Sequence, residues 1–270
     1  MVEGSDRGFV ARLTDVAAAD RAIRRPSGLW PGRNLRKLHL TTFQSDGFRG
    51  HPGYSPDRIR ISRERTNNDV TVETNVITII VLVPFAYLLG TFPSAVLIAR
   101  SRGIDITTCG SGNPGASNVG RLLGRKLGVL VFVLDGLKGA VAVAVGYTMS
   151  GHAGALALAC AAVVGHVFPV TRGFKGGKGV ATAGGSVIAL YPVIGAAMTA
   201  LWLITAKLTK KASLGSLAIA IGFPIAQAVS GRPWGEIVTG AALCAFVIWR
   251  HLPNLKRLVQ GDELSLKKNP

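Results

Sequence analysis

Residues 76–99 read VITIIVLVPFAYLLGTFPSAVLIA, a run with no charged side chain. A helix needs about 20 predominantly apolar residues to cross a lipid bilayer, so this run predicts a membrane-spanning segment. Further apolar runs follow, separated by short connections rich in glycine and basic residues: 127–149, 153–171, 180–208, 214–230 and 235–249. Repeated runs of this kind predict an all-α integral membrane protein.

The composition agrees with this class and excludes others. Of the 270 residues, 48% are hydrophobic and 17% are charged, whereas soluble domains carry about 25% charged residues. Three cysteines are too few for a disulfide scaffold. A formal net charge of +17 in so apolar a chain is not typical of a nucleic-acid-binding protein. It indicates attraction to anionic lipid headgroups or to an anionic substrate.

Residues 1–75 differ from the rest of the chain. Their prolines, glycines and scattered arginines follow no hydrophobic period, so we predict a disordered polar and basic tail. Two interpretations stay open: a genuine N-terminal segment, or a start codon assigned upstream of the true one at Val70, Val72 or Val76. Residues 76–270 form the predicted polytopic membrane domain.

The charges of the connections decide the predicted topology. Cations flank membrane helices on the cytoplasmic side, whereas the connections at 150–152, 191–192 and 231–234 carry almost no charge. The run 180–208 is either one kinked helix or two helices that meet at Pro192. Only the second choice places every basic cluster on one side. We therefore predict seven short transmembrane helices, with the N-terminus outside and the C-terminus cytoplasmic.

Three basic connections carry candidate anion-binding residues. Residues 109–118 contain the pattern GxGxxG, but they lack the preceding strand that a dinucleotide fold requires. Residues 172–182 read RGFKGGKGVAT, which places Lys178 between glycines at a predicted helix start, where the helix dipole favours an anion. This loop does not have the Walker spacing. The third connection contains His251 and Asn254, just after the last apolar run.

Together these segments resemble the bacterial membrane acyl-phosphate:glycerol-3-phosphate acyltransferases of the PlsY type. The resemblance runs from about Leu89 to Glu263. It implies a seven-helix enzyme of the bacterial cytoplasmic membrane whose active site is on the cytoplasmic face. The implied reaction moves an acyl group from acyl phosphate to the 1-hydroxyl of glycerol 3-phosphate. Its products are lysophosphatidic acid and phosphate, and it is the first acylation of phospholipid synthesis.

The resemblance also implies partners and site residues. It implies no metal, no cofactor and no acyl-CoA, and the soluble enzyme that makes acyl phosphate is an expected partner. Catalytic roles fall on Ser111, Arg121, Lys178 and His251. Supporting roles in substrate and phosphate binding fall on Gly110, Gly112, Asn113, Asn118, Gly176, Gly177, Gly179, Thr182, Ser213, Ser216 and Asn254. The sequence departs from the family at Thr107, which often is arginine, and at Leu252-Pro253, which often is Arg-Glu.

Several alternatives stay open at the level of sequence. We expect direct acyl transfer, since Ser111 has no local His–Asp partners that would favour an acyl-enzyme. The hydroxyl proton passes either to His251 or to a substrate phosphate oxygen. The main alternative function is a transporter of an organic phosphate anion, because glycine-broken membrane helices fit that class too. A structural membrane subunit that binds anionic lipid is a further alternative.

Charged residues outside the three connections receive separate predictions. Asp135 and Lys138 lie three residues apart in an apolar run and are expected to neutralise each other near the site. A structural and a functional role both stay open for His166. Asp262 and Glu263 are expected to be solvated.

Overall fold

The computed structural model describes residues 67–266, all within one unit that spans residues 62–270. These residues form nine α-helices, one short 3-10 turn at Val170–Arg172, and no strand. The all-α prediction is therefore confirmed for this part of the chain. The helices are α1 Asn67–Gly90, α2 Ser94–Arg100, α3 Ala116–Leu123, α4 Arg125–Val167, α5 Val180–Leu190, α6 Pro192–Thr209, α7 Ala212–Val229, α8 Trp234–Arg250 and α9 Leu252–Gln260.

Several helical segments are long and apolar enough to cross a membrane. By length and composition there are four among the described residues, and a fifth if α8 and α9, which meet at a bend of 53°, count as one span. Seven crossings and the sidedness of the termini stay predictions. The four segments are Val76–Arg100, Arg125–Arg172, Pro192–Thr209 and Ala212–Val229.

The domain boundary predicted at residue 76 stays a prediction, and α1 begins before the apolar run, at Asn67. Residues 67–75 are polar but contain neither glycine nor proline, so nothing in their backbone chemistry stops a helix that continues beyond the apolar run. The predicted apolar run 76–99 is also interrupted, since α1 ends at Gly90 and α2 starts after Pro93. The rest of the predicted tail, residues 1–66, lies outside the described residues.

Helix α4 is a helical hairpin. At Ser150 (φ −145°, ψ 19°) and Gly151 (φ 65°, ψ −157°) the backbone leaves the helical region. Gly146 then packs so tightly on Gly154 that neither position has room for a Cβ. Val143 shares a core cluster with residues of the returning half, which shows that the two halves run antiparallel. The predicted turn at 150–152 is confirmed.

The predicted break in the run 180–208 is confirmed as well. Helix α5 ends at Leu190, Tyr191 has non-helical angles (φ −138°, ψ 73°), and Pro192 opens α6, where its missing N–H costs no hydrogen bond. Gly195 packs against Ile188, so the two helices fold back on each other. Helix α5 has 11 residues and spans about 16 Å at 1.5 Å per residue, less than the ~30 Å of a bilayer core.

The weakly charged turns meet at one end of the helices. Glu236, at the start of α8, accepts a hydrogen bond from the Tyr191 hydroxyl at 2.7 Å and lies 3.3 Å from His152 Nε2. It also pairs with Arg232 at 3.0 Å. The turns that the sequence marks as poor in cations are therefore neighbours, as a single uncharged face requires.

Candidate functional site

The three basic connections surround one cavity of about 710 Å³, including the part open to solvent. All four residues predicted to be catalytic line it, together with six of the predicted binding residues. They come from the loop before α3, α3 itself, the loop before α5, the start of α7 and the junction of α8 with α9. The ten are Ser111, Asn113, Asn118, Arg121, Lys178, Gly179, Ser213, Ser216, His251 and Asn254.

Asn118 holds the first loop in shape. Its carboxamide oxygen accepts the Ser111 backbone N–H at 3.0 Å, and its Nδ2 donates to the carbonyls of Cys109 at 3.0 Å and Ile106 at 3.3 Å. Gly110, at φ +60°, has no room for a Cβ beside this amide. Because both ends of the amide bond to the loop, Asn118 contributes to the site by fixing Ser111.

Position 107, which often is arginine in the family, is threonine in this chain. Thr107 donates from its backbone N–H and its hydroxyl to Asp105 Oδ1, at 2.9 and 2.7 Å, and it is exposed. It does not line the cavity. Position 107 therefore contributes no cation to this cavity.

Arg121 is half-buried on α3, and its Nε donates to the Ser265 carbonyl at 2.8 Å. This bond fixes the guanidinium plane at the cavity. Burial lowers the pKa of Arg121, but an arginine stays charged at any physiological pH. The side chain therefore supplies a permanent, oriented cation.

Lys178 precedes the first turn of α5. Gly179 is the N-cap of that helix at φ +82°, a left-handed backbone that glycine adopts without strain. Lys178 Nζ donates to Asn254 Oδ1, which joins the second loop to α9. Burial lowers the pKa of Lys178 to about 8, with Arg257 contributing and Glu263 opposing. The site thus holds an ammonium whose charge is poised near physiological pH.

His251 is the hinge between α8 and α9 and is 3% exposed. Its Nδ1 lies 2.8 Å from the Val247 carbonyl. Because a carbonyl only accepts, Nδ1 carries the proton and Nε2 is the acceptor of the neutral ring. Burial lowers the pKa of His251 to about 4, and the Lys178 cation adds to that effect. Pro253, one of the departures from the family, lies in the first turn of α9 and needs no donor there.

The prediction that Glu263 is solvated is wrong. Its carboxylate is buried at 6% exposure and accepts from Asn254 Nδ2 at 2.6 Å and from Arg257 Nε at 2.9 Å. Burial alone would raise the pKa of Glu263, but these hydrogen bonds outweigh it and the pKa falls below its ordinary value. Asp262 is exposed, as expected. Glu263 lines the cavity and orients the Asn254 amide toward Lys178.

Five predicted binding residues do not line the cavity: Gly110, Gly112, Gly176, Gly177 and Thr182. The glycines support its walls through the backbone, since Gly176 N donates to Val167 O and Gly177 N to His166 O, both at 3.1 Å. Thr182 is fully buried, and its carbonyl lies against Gly139 of α4.

Several cavity residues were not assigned by sequence. Phe132 and Trp202 stack with ring centroids 6.4 Å apart, and Trp202 Nε1 donates to Ser216 Oγ at 3.3 Å. Asp135 and His166 also reach the wall. The cavity therefore combines two cations with an apolar aromatic pair, which suits a ligand with an anionic head and a hydrocarbon chain. Of these four residues, the sequence had singled out only Asp135, as the partner of Lys138, and His166, whose role it left open.

The sequence and the structure both match known proteins. The family model for glycerol-3-phosphate acyltransferase matches residues 80–261, which include every predicted site residue. A glycerol-3-phosphate acyltransferase from Rubrobacter xylanophilus is 38% identical over 185 residues, covering 68% of this chain and 93% of the relative. One from Thioalkalivibrio sulfidiphilus is 42% identical over 186 residues, covering 67% and 91%.

Two crystal structures of PlsY, an integral membrane glycerol 3-phosphate acyltransferase, have the same arrangement of helices. They are its glycerol 3-phosphate form and its lysophosphatidic acid form, with TM-scores of 0.67 and 0.65. Each is 39% identical and covers 70% of this chain and 95% of the solved chain.

Proposed function

The chain belongs to the glycerol-3-phosphate acyltransferase family, and on that basis we propose that it transfers an acyl group from acyl phosphate to the 1-hydroxyl of glycerol 3-phosphate. The products are lysophosphatidic acid and phosphate. The chain is a membrane protein, and the proposed setting is the bacterial cytoplasmic membrane with the cavity on the cytoplasmic face. The soluble enzyme that makes acyl phosphate is its proposed supplier.

The convergence of Arg121 and Lys178 on one cavity carries this proposal. Both substrates bear phosphate, and two unit charges roughly 5 Å apart repel by about 3 kcal/mol at an effective dielectric of about 20. Two cations, Arg121 from α3 and Lys178 from the loop before α5, offset this repulsion. The Phe132–Trp202 pair supports an acyl chain beside the phosphates.

Direct transfer is the proposed mechanism. The 1-hydroxyl oxygen attacks the acyl carbonyl carbon, the bond from that carbon to the phosphate oxygen breaks, and phosphate leaves. Lys178 and Arg121 stabilise the charge that develops on the leaving phosphate. A phosphate oxygen accepts the hydroxyl proton, because the low pKa of His251 makes its ring a weak base. His251 then orients a substrate through Nε2.

Ser111 serves this mechanism as a binding group. Among the described residues, the hydrogen bond at its Oγ comes from the Asn113 backbone N–H at 3.5 Å, and no base contacts it. A nucleophilic serine needs such a base.

Supplying each candidate donor to purified protein tests the reaction. In detergent, with glycerol 3-phosphate, we expect lysophosphatidic acid and phosphate in equal amounts from palmitoyl phosphate and no product from palmitoyl-CoA. The intact mass of the protein stays unchanged during turnover. An acylated Ser111 would contradict direct transfer, and product from palmitoyl-CoA would contradict the donor. A folded protein that turns over neither donor would leave the anion transporter as the better interpretation.

The charge of Lys178 predicts that the activity falls at alkaline pH. We expect kcat/KM for glycerol 3-phosphate to fall roughly ten-fold per unit as pH rises above about 8, because the neutral amine no longer pairs with the phosphate dianion. Initial rates between about pH 7 and 10, corrected for uncatalysed hydrolysis, measure it. The Lys178→Arg variant should lack this fall, since arginine keeps its charge. A wild-type profile that stays flat past the Lys178 pKa would refute this assignment.

A further inference from the structure

A buried polar network lies directly behind the second loop. Asp135 Oδ1 is 2.7 Å from Lys138 Nζ and accepts from Ser94 Oγ at 2.8 Å. Asp135 is 2% exposed and Lys138 is 5% exposed. A buried ion pair is expensive to desolvate unless its remaining groups are satisfied, so the further partners of these two residues indicate what the pair holds in place.

Lys138 connects three parts of the chain. Its ammonium donates to the Phe92 carbonyl at 2.9 Å, lies 3.4 Å from the Gly90 carbonyl, and lies 3.3 Å from His166 Nδ1. An ammonium has no acceptor, so Nδ1 must be the acceptor and the ring proton of His166 is on Nε2. Lys138 therefore connects the end of α1 to the hairpin helix α4. It also selects the tautomer of His166 that carries its proton on Nε2.

His166 in turn supports the backbone next to Lys178. Its carbonyl accepts the Gly177 N–H at 3.1 Å. Its Nε2 lies where a side chain at position 177 would be, so only glycine fits between the imidazole and the loop. Lys178 is the next residue, and its direction depends on the backbone at Gly177.

We infer that Asp135, Lys138 and His166 form a positioning network for the phosphate-binding loop. The carboxylate fixes the ammonium, the ammonium fixes the imidazole, and the imidazole fixes Gly177 and with it the aim of Lys178 into the cavity. None of the three takes part in bond making. The inference rests on the proposed function for the identity of the phosphate ligand.

Exchanging His166 tests the network. The His166→Phe variant keeps a ring of similar size but offers Lys138 no acceptor, whereas His166→Asn keeps an acceptor near the position of Nδ1. We expect His166→Phe to raise the Kd and the KM for glycerol 3-phosphate by roughly ten- to hundred-fold with a smaller change in kcat. His166→Asn should recover most of that loss.

The chain offers a matched control at the far end of the helices. His152 is also a histidine of α4 and lies 3.3 Å from Glu236 Oε1, so His152→Phe removes a histidine contact that does not line the cavity. We expect its Kd and KM to equal those of the wild type. A network that only stabilised the fold would lower the yield or the melting temperature of His166→Phe and leave its KM unchanged, and that result would overturn the inference.

Two further measurements test the inference independently of His166→Phe. If His166→Phe does not fold, Asp135→Asn replaces it, because the isosteric amide leaves the buried ammonium uncompensated. The same rise in KM is expected, and an unchanged KM overturns the inference. A wild-type protein that binds neither glycerol 3-phosphate nor inorganic phosphate overturns the inference and the proposed function together. A wild-type protein that turns over, beside folded network variants with unchanged KM, overturns the inference alone.

Discussion

Replacing Lys178 by alanine lowers kcat/KM for glycerol 3-phosphate by roughly 10³-fold, which is the largest loss that we expect from any single substitution. The ammonium is mostly buried, bonded to Asn254, and placed at the start of α5. It faces the phosphate of the substrate in the ground state and the leaving phosphate in the transition state. Both KM and kcat should therefore worsen.

Lys175 provides the control in the same loop. It lies three residues earlier, is exposed, and does not line the cavity. Lys175→Ala removes the same charge from the same loop, so we expect a rate within about two-fold of the wild type, as screening of exposed charges suggests. Equal losses in the two variants would mean that the loop attracts substrate only through its net charge. Monodisperse elution in detergent and unchanged yield from the membrane fraction show that each variant folds.

The apolar runs predicted the helices well because a bilayer imposes a length on every spanning segment. The breaks at Gly151 and Tyr191 were predictable from residues that interrupt apolar runs and from the distribution of cations along the chain. The start of α1 at Asn67 was not, since polar residues can continue a helix into water without any hydrophobic signal.

The candidate site likewise contains residues that the sequence predicted and residues that it did not. Glycine-rich loops with isolated cations are local patterns, and they led to Lys178, while the family resemblance added Ser111 on the same cavity. Glu263 has no such pattern around it, and its role depends on Asn254, nine residues away, turning its amide toward the carboxylate. His166 depends on Lys138 from the other half of a hairpin. Contacts of this kind follow from tertiary packing, which a single sequence does not display.

Replacing His251 separates the two roles that remain for this residue. We expect His251→Ala to lose roughly 10²-fold in kcat, because the buried cavity wall then lacks the hydrogen-bonding group that orients the substrate. His251→Gln should recover to within roughly ten-fold of the wild type, since an amide both donates and accepts hydrogen bonds. Steady-state kinetics of both variants, with fold checked by elution and melting, measure the difference.

The glutamine variant distinguishes a general base from a group that only orients the substrate, because an amide cannot take up a proton near neutral pH. If His251 were the general base, His251→Gln would be as slow as His251→Ala. The structure argues against that outcome, since the ring is buried beside Lys178 and Arg250 and its pKa falls to about 4. An imidazolium there would add a third cation to a cavity that already concentrates positive charge. A substrate phosphate oxygen, whose pKa is about 6 in water, is therefore the proposed acceptor for the proton.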